Sequence, residues 1–116
     1  MKQLNKIVKS PVCKAELKVL ECLWEHGPMC AKELALLLEA KTHWKKTTSY
    51  TVFKNCVQKG LIKRSEPKFM CEAIFTKEEV QLGEAMLLAD KLFGGSSVRM
   101  ALMIIQNNPV TTINAS

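Results

Sequence analysis

Apolar side chains recur at helical spacing near the start of the chain and predict two amphipathic helices. The first is expected from about Val12 to Glu25 and is ended by Gly27-Pro28. Its apolar stripe is made by Cys13, Leu17, Leu20 and Trp24. The second is expected from about Ala31 to Ala40. Its N-terminal cap is weak, because Cys30 stands where a Ser or Thr would pair with Glu33.

The stretch HWKKTTSYTVFKN, residues 43–55, predicts a third helix. Thr47 or Thr48 is a suitable N-cap, and Gly60 is a suitable C-terminal stop. Helical spacing places four apolar residues on the inner face of this helix, and these are Val52, Phe53, Cys56 and Val57.

After Gly60 the hydrophobic period changes from helical to alternating, which predicts a β-hairpin. Residues 61–65 (LIKRS) and 69–75 (FMCEAIF) form its strands, and Glu66-Pro67-Lys68 forms its turn. Three short helices followed by a hairpin make a winged helix-turn-helix, in which the third helix enters the major groove of DNA. The fold class expected is therefore mostly α, with the hairpin as the wing.

Two further helices are predicted after the hairpin. Thr76 and Glu79 form a capping box that opens a fourth helix, which extends to about Phe93. Gly94-Gly95 separates this helix from a fifth one over residues 98–106.

The fifth helix is apolar on several sides and needs more than one neighbour to cover it. We expect its own subunit to cover one side and a second copy of the chain to cover the other; burial wholly within one subunit is the alternative. The dimerisation surface expected consists of Leu82, Met86, Ala89, Phe93, Val98, Ala101, Leu102 and Ile105. The chain is thus expected to divide into a winged-helix DNA-binding domain, residues 1–76, and a helical dimerisation segment, residues 77–116.

Positive charge is concentrated in the first part of the chain. Residues 1–76 carry 14 Lys or Arg against 7 Asp or Glu, whereas residues 77–116 carry 3 against 4. Within residues 41–68, eight basic residues accompany a single acid, Glu66. This distribution is typical of a nucleic-acid-binding surface, although a solvated face of lysines has the same composition.

The cysteine and histidine residues indicate no metal site, cofactor or enzyme activity. The five cysteines lack CxxC, CxC or CxxH spacing, so we expect reduced thiols that act as small apolar side chains, with redox or metal sensing as the alternative. His26 and His43 have no carboxylate or cysteine at the spacing of a catalytic dyad. Without a long apolar run or a signal-peptide pattern, we expect a cytoplasmic protein with no membrane span.

The third helix begins with Lys45 and Lys46, at the end where the helix dipole favours negative charge. In a winged helix this end faces DNA, whose phosphates provide the missing anions. Asn55 is suited to a paired contact with adenine, and Thr51 to a thymine methyl group. The DNA-binding residues expected are Lys45, Lys46, Thr47, Thr48, Tyr50, Thr51, Lys54, Asn55, Lys63, Arg64 and Lys68.

With these residues the chain resembles the penicillinase-repressor (BlaI/MecI/CopY) family of bacterial transcription regulators. The similar blocks are LKVLECLWEHGPMCAKEL (17–34), W-x-x-TT-x-YT-x-x-x-x-x-V-x-KGL (44–61) and KLFGGS (91–96). The resemblance implies a dimeric winged-helix repressor that binds an inverted-repeat operator near β-lactam-resistance or similar genes. It also implies that the third helix recognises DNA and that the last two helices dimerise, and it adds a regulatory sensor or protease to the partners.

Three features differ from the family pattern. Lys54-Asn55 stands where the recognition helix usually carries Asn-Arg, so the operator sequence does not transfer. Met103-Ile104 replaces the Asn-Phe pair at which some members are cleaved, which argues against induction by proteolysis. The C-terminal CxC pair of copper-responsive members has no counterpart here, which argues against copper sensing.

A winged-helix module that binds another protein, without DNA, is the competing interpretation. It requires the basic residues of 41–68 to be buried or paired with acids, because no phosphate-facing surface would then remain. We expect instead a homodimeric repressor that binds a double-stranded DNA operator in a sequence-specific manner.

Overall fold

The computed structural model describes residues 10–108. This part of the chain forms five helices and a three-stranded antiparallel sheet, so the predicted mostly helical fold with a hairpin is confirmed. In chain order the elements are α1 (Lys14–His26), β1 (Met29–Cys30), α2 (Ala31–Thr42), α3 (Lys46–Gln58), β2 (Ile62–Ser65), β3 (Met70–Ala73), α4 (Lys77–Leu92) and α5 (Ser97–Asn107). None of these helices combines the length and the hydropathy that a membrane span requires.

The hairpin of β2 and β3 is joined by a third strand that the sequence pattern does not predict. The strand order is β1-β3-β2, and both pairs are antiparallel. β1 is only two residues long and pairs with β3 so that Met29 lies opposite Cys71. An alternating pattern becomes visible over about four residues or more, so a strand this short has no signal of its own.

The turn between α2 and α3 places the start of α3 earlier than the sequence predicts. Lys45 is the N-cap of α3, so the prediction of a cap at Thr47 or Thr48 is wrong. The Lys45 side chain makes no capping hydrogen bond. The hydroxyl of Thr42 organises the turn instead, because it accepts the N–H of Trp44 at 3.2 Å. Both threonines therefore lie inside the first turn of the helix.

Cysteines serve two structural purposes. Cys13 and Cys30 are the N-caps of α1 and α2. The Cys13 N–H donates to the carboxylate of Glu16 at 3.0 Å, and the Cys30 thiol donates to the carboxylate of Glu33 at 3.4 Å. The expectation of buried thiols is correct for Cys22, Cys56 and Cys71 and wrong for Cys13, which is exposed, and for Cys30, which is only partly buried. Burial raises the pKa of the Cys56 thiol to about 12, and all five cysteines are free.

The core lies between α1, α2, α3 and the inner face of the sheet. Its most deeply buried side chains are Val19, Leu20, Leu34, Leu38, Cys56, Leu61, Ile62 and Cys71. Complete burial of one Leu or Ile side chain contributes about 1.5–3 kcal/mol, so these contacts fix α3 firmly against α1 and α2. The indole N–H of Trp24 donates to the carbonyl of Phe75 at 2.9 Å and ties α1 to the segment before α4.

Glu16 is a buried carboxylate that joins the start of α1 to the end of α3. It is 3% exposed, and Lys59 Nζ donates to its Oε1 at 2.9 Å. The same ammonium donates to the carbonyl of Pro11 at 3.1 Å. Burial alone would raise the pKa of Glu16, but the hydrogen bonds from Lys59 and Cys13 outweigh it and hold this pKa below its usual value. Lys59 therefore stabilises the fold.

α4 and α5 begin with side-chain caps. The Thr76 hydroxyl accepts the N–H of Glu79 at 3.1 Å, and the Glu79 carboxylate accepts the N–H of Thr76 at 2.9 Å, so the predicted capping box is confirmed. Ser96 is the N-cap of α5, and its hydroxyl accepts the N–H of Arg99 at 3.1 Å.

Most of the predicted dimerisation surface is exposed in the single chain. Exposed fractions between 40% and 66% belong to Leu82, Met86, Val98, Leu102 and Ile105. Ala101 is exposed as well, and Phe93 is partly buried. Ala89 is only 1% exposed, so it is packed within the single chain and is not part of the exposed surface. Its carbonyl accepts the N–H groups of Phe93 and Gly95, at 2.8 and 3.0 Å, where α4 ends.

We expect replacement of Lys59 by Met to lower the free energy of unfolding at pH 7 by about 1–2 kcal/mol. The Glu16 carboxylate would stay buried without its cation, and the effect is moderate because the ammonium is partly exposed. The stabilisation exists above the usual carboxyl pKa of 4.5 and is lost as the pH falls through the lower pKa of the folded state. Urea unfolding at pH 7 and pH 3 should therefore show the difference shrinking at the lower pH.

The matched control is Lys41→Met, which removes a pair with Glu25 at 3.0 Å on the exposed surface. Solvent screens such pairs, so its loss should be smaller. Equal losses for the two variants would contradict a stabilising role for the buried pair.

Candidate nucleic-acid interface

α3 presents one apolar face to the core and one polar face to solvent. Phe53 is 5% exposed, Val52 is 8% exposed and Cys56 is fully buried. Val57, predicted to face the core, is instead 38% exposed and lies at the edge of the buried face. The exposed polar residues of the helix are Lys46, Thr47, Thr48, Thr51, Lys54, Asn55 and Gln58. Because the core fixes the rotation of α3, these side chains form one outward surface.

The N-terminal end of α3 carries cations and no acids. Lys45 and Lys46 are both exposed, and the first turn contains no Asp or Glu. The first N–H groups of a helix have no acceptor within it, and the helix dipole makes this end positive. The free N–H groups, the helix dipole and the two lysine ammonium groups together make this end of α3 attractive to an anion.

Three contacts order the side chains on the outer part of α3. The Thr51 hydroxyl donates to the carbonyl of Thr47 at 3.0 Å, so its proton is used within the helix. The ring of Tyr50 is 5.5 Å from the ring of Phe53, and Lys46 Nζ lies 5.7 Å from the Tyr50 ring centre. At this distance a lysine is attracted by the face of the ring, so Tyr50 links Lys46 to the core.

The hairpin carries its two basic strand residues on opposite faces. Lys63 lies opposite Glu72, and its Nζ is 4.0 Å from a Glu72 carboxylate oxygen. Arg64 lies opposite Cys71 on the inner face, with its guanidinium carbon 4.7 Å from the centre of the Phe69 ring. The structure therefore does not bring Lys63 and Arg64 onto one surface.

Three of the eight basic residues between positions 41 and 68 have carboxylate partners. The pairs are Lys41 with Glu25, Lys59 with Glu16 and Lys63 with Glu72. The other five are exposed and have no carboxylate partner within residues 10–108, and these are Lys45, Lys46, Lys54, Arg64 and Lys68. Unpaired positive charge is thus gathered at the start of α3, on its outer face and on the hairpin.

Two residues near this surface are not among the predicted ones. Gln58 is exposed one turn after Lys54, and extending the polar stripe of α3 by one turn would have found it. Phe69 is 42% exposed at the hairpin tip, where it follows Lys68. Both tip residues have left-handed backbone, with φ of 67° for Lys68 and 49° for Phe69. β3 therefore begins at Met70, one residue later than the strand predicted from Phe69.

The comparison with known proteins agrees with this geometry. The sequence model of the penicillinase repressor family matches residues 12–115. The chain belongs to the penicillinase repressor family. This family is one of repressors rather than enzymes. No curated protein sequence matches the chain.

A solved structure of a repressor domain has the same fold as this chain. One similar structure is the solution structure of the DNA-binding domain of the repressor BlaI, with a TM-score of 0.55 and 20% sequence identity. The similarity covers 66% of this chain and 93% of that domain. At this identity the match establishes the winged-helix fold.

Ser49 is a polar residue on the buried side of α3. It is fully buried, and its hydroxyl has no hydrogen-bond partner within the described part of the chain. We expect Ser49→Ala to raise the free energy of unfolding by about 1 kcal/mol. It removes an unpaired buried hydroxyl, and Ala has the higher helix propensity. Thermal or urea unfolding measures the change.

The neighbouring Thr48→Ala is the control, because Thr48 is exposed and only its helix propensity would change. If Ser49→Ala destabilised the protein, the hydroxyl would have a partner in solution, such as an ordered water.

Proposed function

We propose that this protein is a transcriptional repressor that binds double-stranded DNA through α3 and the tip of the hairpin. The observation that carries the proposal is the unpaired positive charge that α3 and the hairpin tip expose. A surface with several unpaired cations attracts a polyanion, and the winged-helix fold presents this surface on the helix that enters the major groove. Membership in the penicillinase repressor family supports the same function.

The start of α3 is proposed to contact the phosphate backbone. Lys45 and Lys46 supply two charges there, and the hydroxyls of Thr47 and Thr48 lie in the same first turn. The free N–H groups of that turn add donors aimed in the same direction. Such contacts set the position of the protein on the duplex but do not identify its sequence.

The middle of the outer face is proposed to contact base edges. Thr51, Lys54 and Asn55 are all exposed and lie within about one turn of each other. Asn can pair with adenine through two hydrogen bonds, and Lys can donate to guanine. Since the Thr51 hydroxyl already donates within the helix, a thymine methyl group is its best-suited contact. Tyr50 is proposed to hold Lys46 in place beside them.

The hairpin is proposed to contact the neighbouring backbone through Lys63 and Lys68. Lys68 stands at its tip without a carboxylate partner, whereas Lys63 is only loosely paired with Glu72 at 4.0 Å. Exposed pairs of this length are weak, so DNA can compete for the Lys63 ammonium. Arg64 lies on the other face of the hairpin, so its contact with DNA stays a prediction.

α4 and α5 are proposed to form the interface of a homodimer. Half or more of Val98, Leu102 and Ile105 is exposed along α5, and burying this apolar surface would stabilise association. Residues 1–76 would then form the DNA-binding domain and residues 77–116 the dimerisation segment. A two-fold dimer presents two copies of α3, so it suits an inverted-repeat operator.

The further proposals follow from the family. The regulated genes are proposed to be of the β-lactam-resistance type, and a regulatory sensor or protease is the proposed source of induction. A cytoplasmic location fits a protein that acts on chromosomal DNA. The competing interpretation, a winged helix that binds only protein, requires the basic residues to be buried or paired, and five of the eight are neither.

We expect DNA binding to depend steeply on salt. If a dimer neutralises about six to eight phosphates, the logarithm of affinity should fall against the logarithm of salt concentration with a slope of roughly −5 to −7. Lys46→Gln removes one contact from each subunit and should reduce the slope by about 2. Fluorescence anisotropy with operator DNA selected from a random pool measures both slopes.

The control is Lys91→Gln, because Lys91 is exposed in the last turn of α4, away from the proposed surface. Its slope should equal that of the wild type. A flat salt response of the wild-type protein would count decisively against DNA as the partner.

We expect Leu102→Glu to dissociate the dimer, because it places a charge within an apolar interface that would have to be desolvated. Sedimentation should then give the mass of one chain, 13.0 kDa, instead of twice that mass. Leu36→Glu is the matched control, because Leu36 is also exposed, at 59% against 50%, but lies on α2. An unchanged dimer mass for Leu102→Glu would place the interface elsewhere.

A further inference from the structure

A cleft of about 340 Å³ lies between α3 and the inner face of the hairpin. Its buried lining consists of Ala31, Phe53 and Cys71, each at most 5% exposed. The rings of Tyr50 and Phe69 form part of its walls. Small-molecule sites have volumes of about 300–1,000 Å³ and apolar linings with a few polar groups, so this cleft has the size and the surface of a small site.

The polar side chains around the cleft are cationic or neutral. Lys54 and Gln58 approach it from α3, and Arg64 approaches it from β2. Neither Lys54 nor Arg64 has a carboxylate partner in the part of the chain that the structure describes. A cleft with two unpaired cations and no acid in its lining is complementary to an anion.

Arg64 is the cation that the inner face of the hairpin contributes to this cleft. Its neighbours on that face, Ile62 and Cys71, are apolar and buried, with 1% exposure each. Arg64 shares this face, and the Phe69 ring lies 4.7 Å from its guanidinium carbon. A guanidinium held over a ring keeps N–H donors at its edge, and this planar fork matches the two oxygens of a carboxylate.

We propose that this cleft binds a small apolar carboxylate, whose ring or branched chain covers the apolar lining and whose carboxylate pairs with Arg64 and Lys54. A DNA phosphate would satisfy the cations but would leave the apolar lining in contact with water, so the lining favours the small molecule. Lys54 also belongs to the proposed DNA-contacting face. Occupancy of the cleft therefore weakens DNA binding, and this second step rests on the proposed function.

Tyr50 provides a local probe for the binding step, because it is the only tyrosine in the chain and it lines the cleft. With ring-¹³C-labelled tyrosine, phenylacetate should shift the single ring signal in a saturable manner, whereas the neutral isostere phenylacetamide should not. Arg64→Gln should weaken phenylacetate binding about tenfold or more, the cost of losing a charged hydrogen-bonded partner. Lys63→Gln, the adjacent cation on the opposite face, should bind phenylacetate as the wild type does.

Equal shifts with the acid and the amide would overturn the proposal, and so would equal phenylacetate affinities for Arg64→Gln and Lys63→Gln. The acid–amide comparison uses the unmodified protein, so it does not depend on how any variant folds.

The regulatory step is tested by the ratio of operator dissociation constants with and without saturating phenylacetate. This ratio should rise clearly above one for the wild type, and Arg64→Gln should need about tenfold more phenylacetate to reach the same ratio. A wild-type ratio of one would overturn the antagonism. A protein that binds phenylacetate in the cleft but binds no DNA at low salt would instead contradict the proposed function and leave the cleft standing.

Discussion

The candidate interface depends on one constraint, the packing of α3 against the core. Phe53 and Cys56 are buried less than one turn apart, and they fix the rotation of the helix about its axis. Lys54 and Asn55 lie between them in sequence and therefore point outward. A shift of one residue would turn the helix by about 100° and would bring a lysine toward the core. Burial of two side chains thus determines which polar groups a partner can meet.

The position of α3 also determines the position of the hairpin. The N–H of Leu61 donates to the carbonyl of Cys56 at 2.9 Å, and the N–H of Ile74 donates to the carbonyl of Leu61 at 2.9 Å. These two hydrogen bonds connect the end of α3 to the residues that flank the two strands of the hairpin, so they hold helix and wing together. The carbonyl of Phe69 accepts the N–H of Ala31 at 3.0 Å, which ties the tip of the hairpin to the start of α2. The surface proposed for DNA therefore does not depend on a partner to take shape.

The sequence predicts secondary-structure elements well where a hydrophobic pattern extends over many residues. It predicts them poorly where a single contact determines where an element begins. The stripes of α1 to α5 and the capping box at Thr76 follow from spacing, and all of these elements are present. β1 is too short to have a pattern, and the start of α3 depends on a turn that Thr42 organises. Ala89 has the right spacing for an exposed stripe, but it is buried within the single chain.

The candidate site is predictable to the same extent. A count of charges finds the basic segment, but it cannot show that Lys59 is paired with Glu16, because the two residues are 43 positions apart. Strand alternation separates Lys63 from Arg64, yet it gives no reason why the inner face should carry a cation. The proposed reason is the cleft, which forms only when α3 and the hairpin pack together and so cannot be read from the sequence.

Because buried side chains pack α3 against the core, we expect a ligand in the cleft to alter DNA binding without moving the helix. The effect of the ligand would be electrostatic and local. Its carboxylate beside Lys54 would reduce the positive potential of the outer face and would compete with DNA for the Lys54 ammonium. Lys45 and Lys46 stand at the other end of α3 and would keep their phosphate contacts. Occupancy should therefore reduce discrimination between base sequences more than it reduces non-specific attraction, because base contacts specify and phosphate contacts only position.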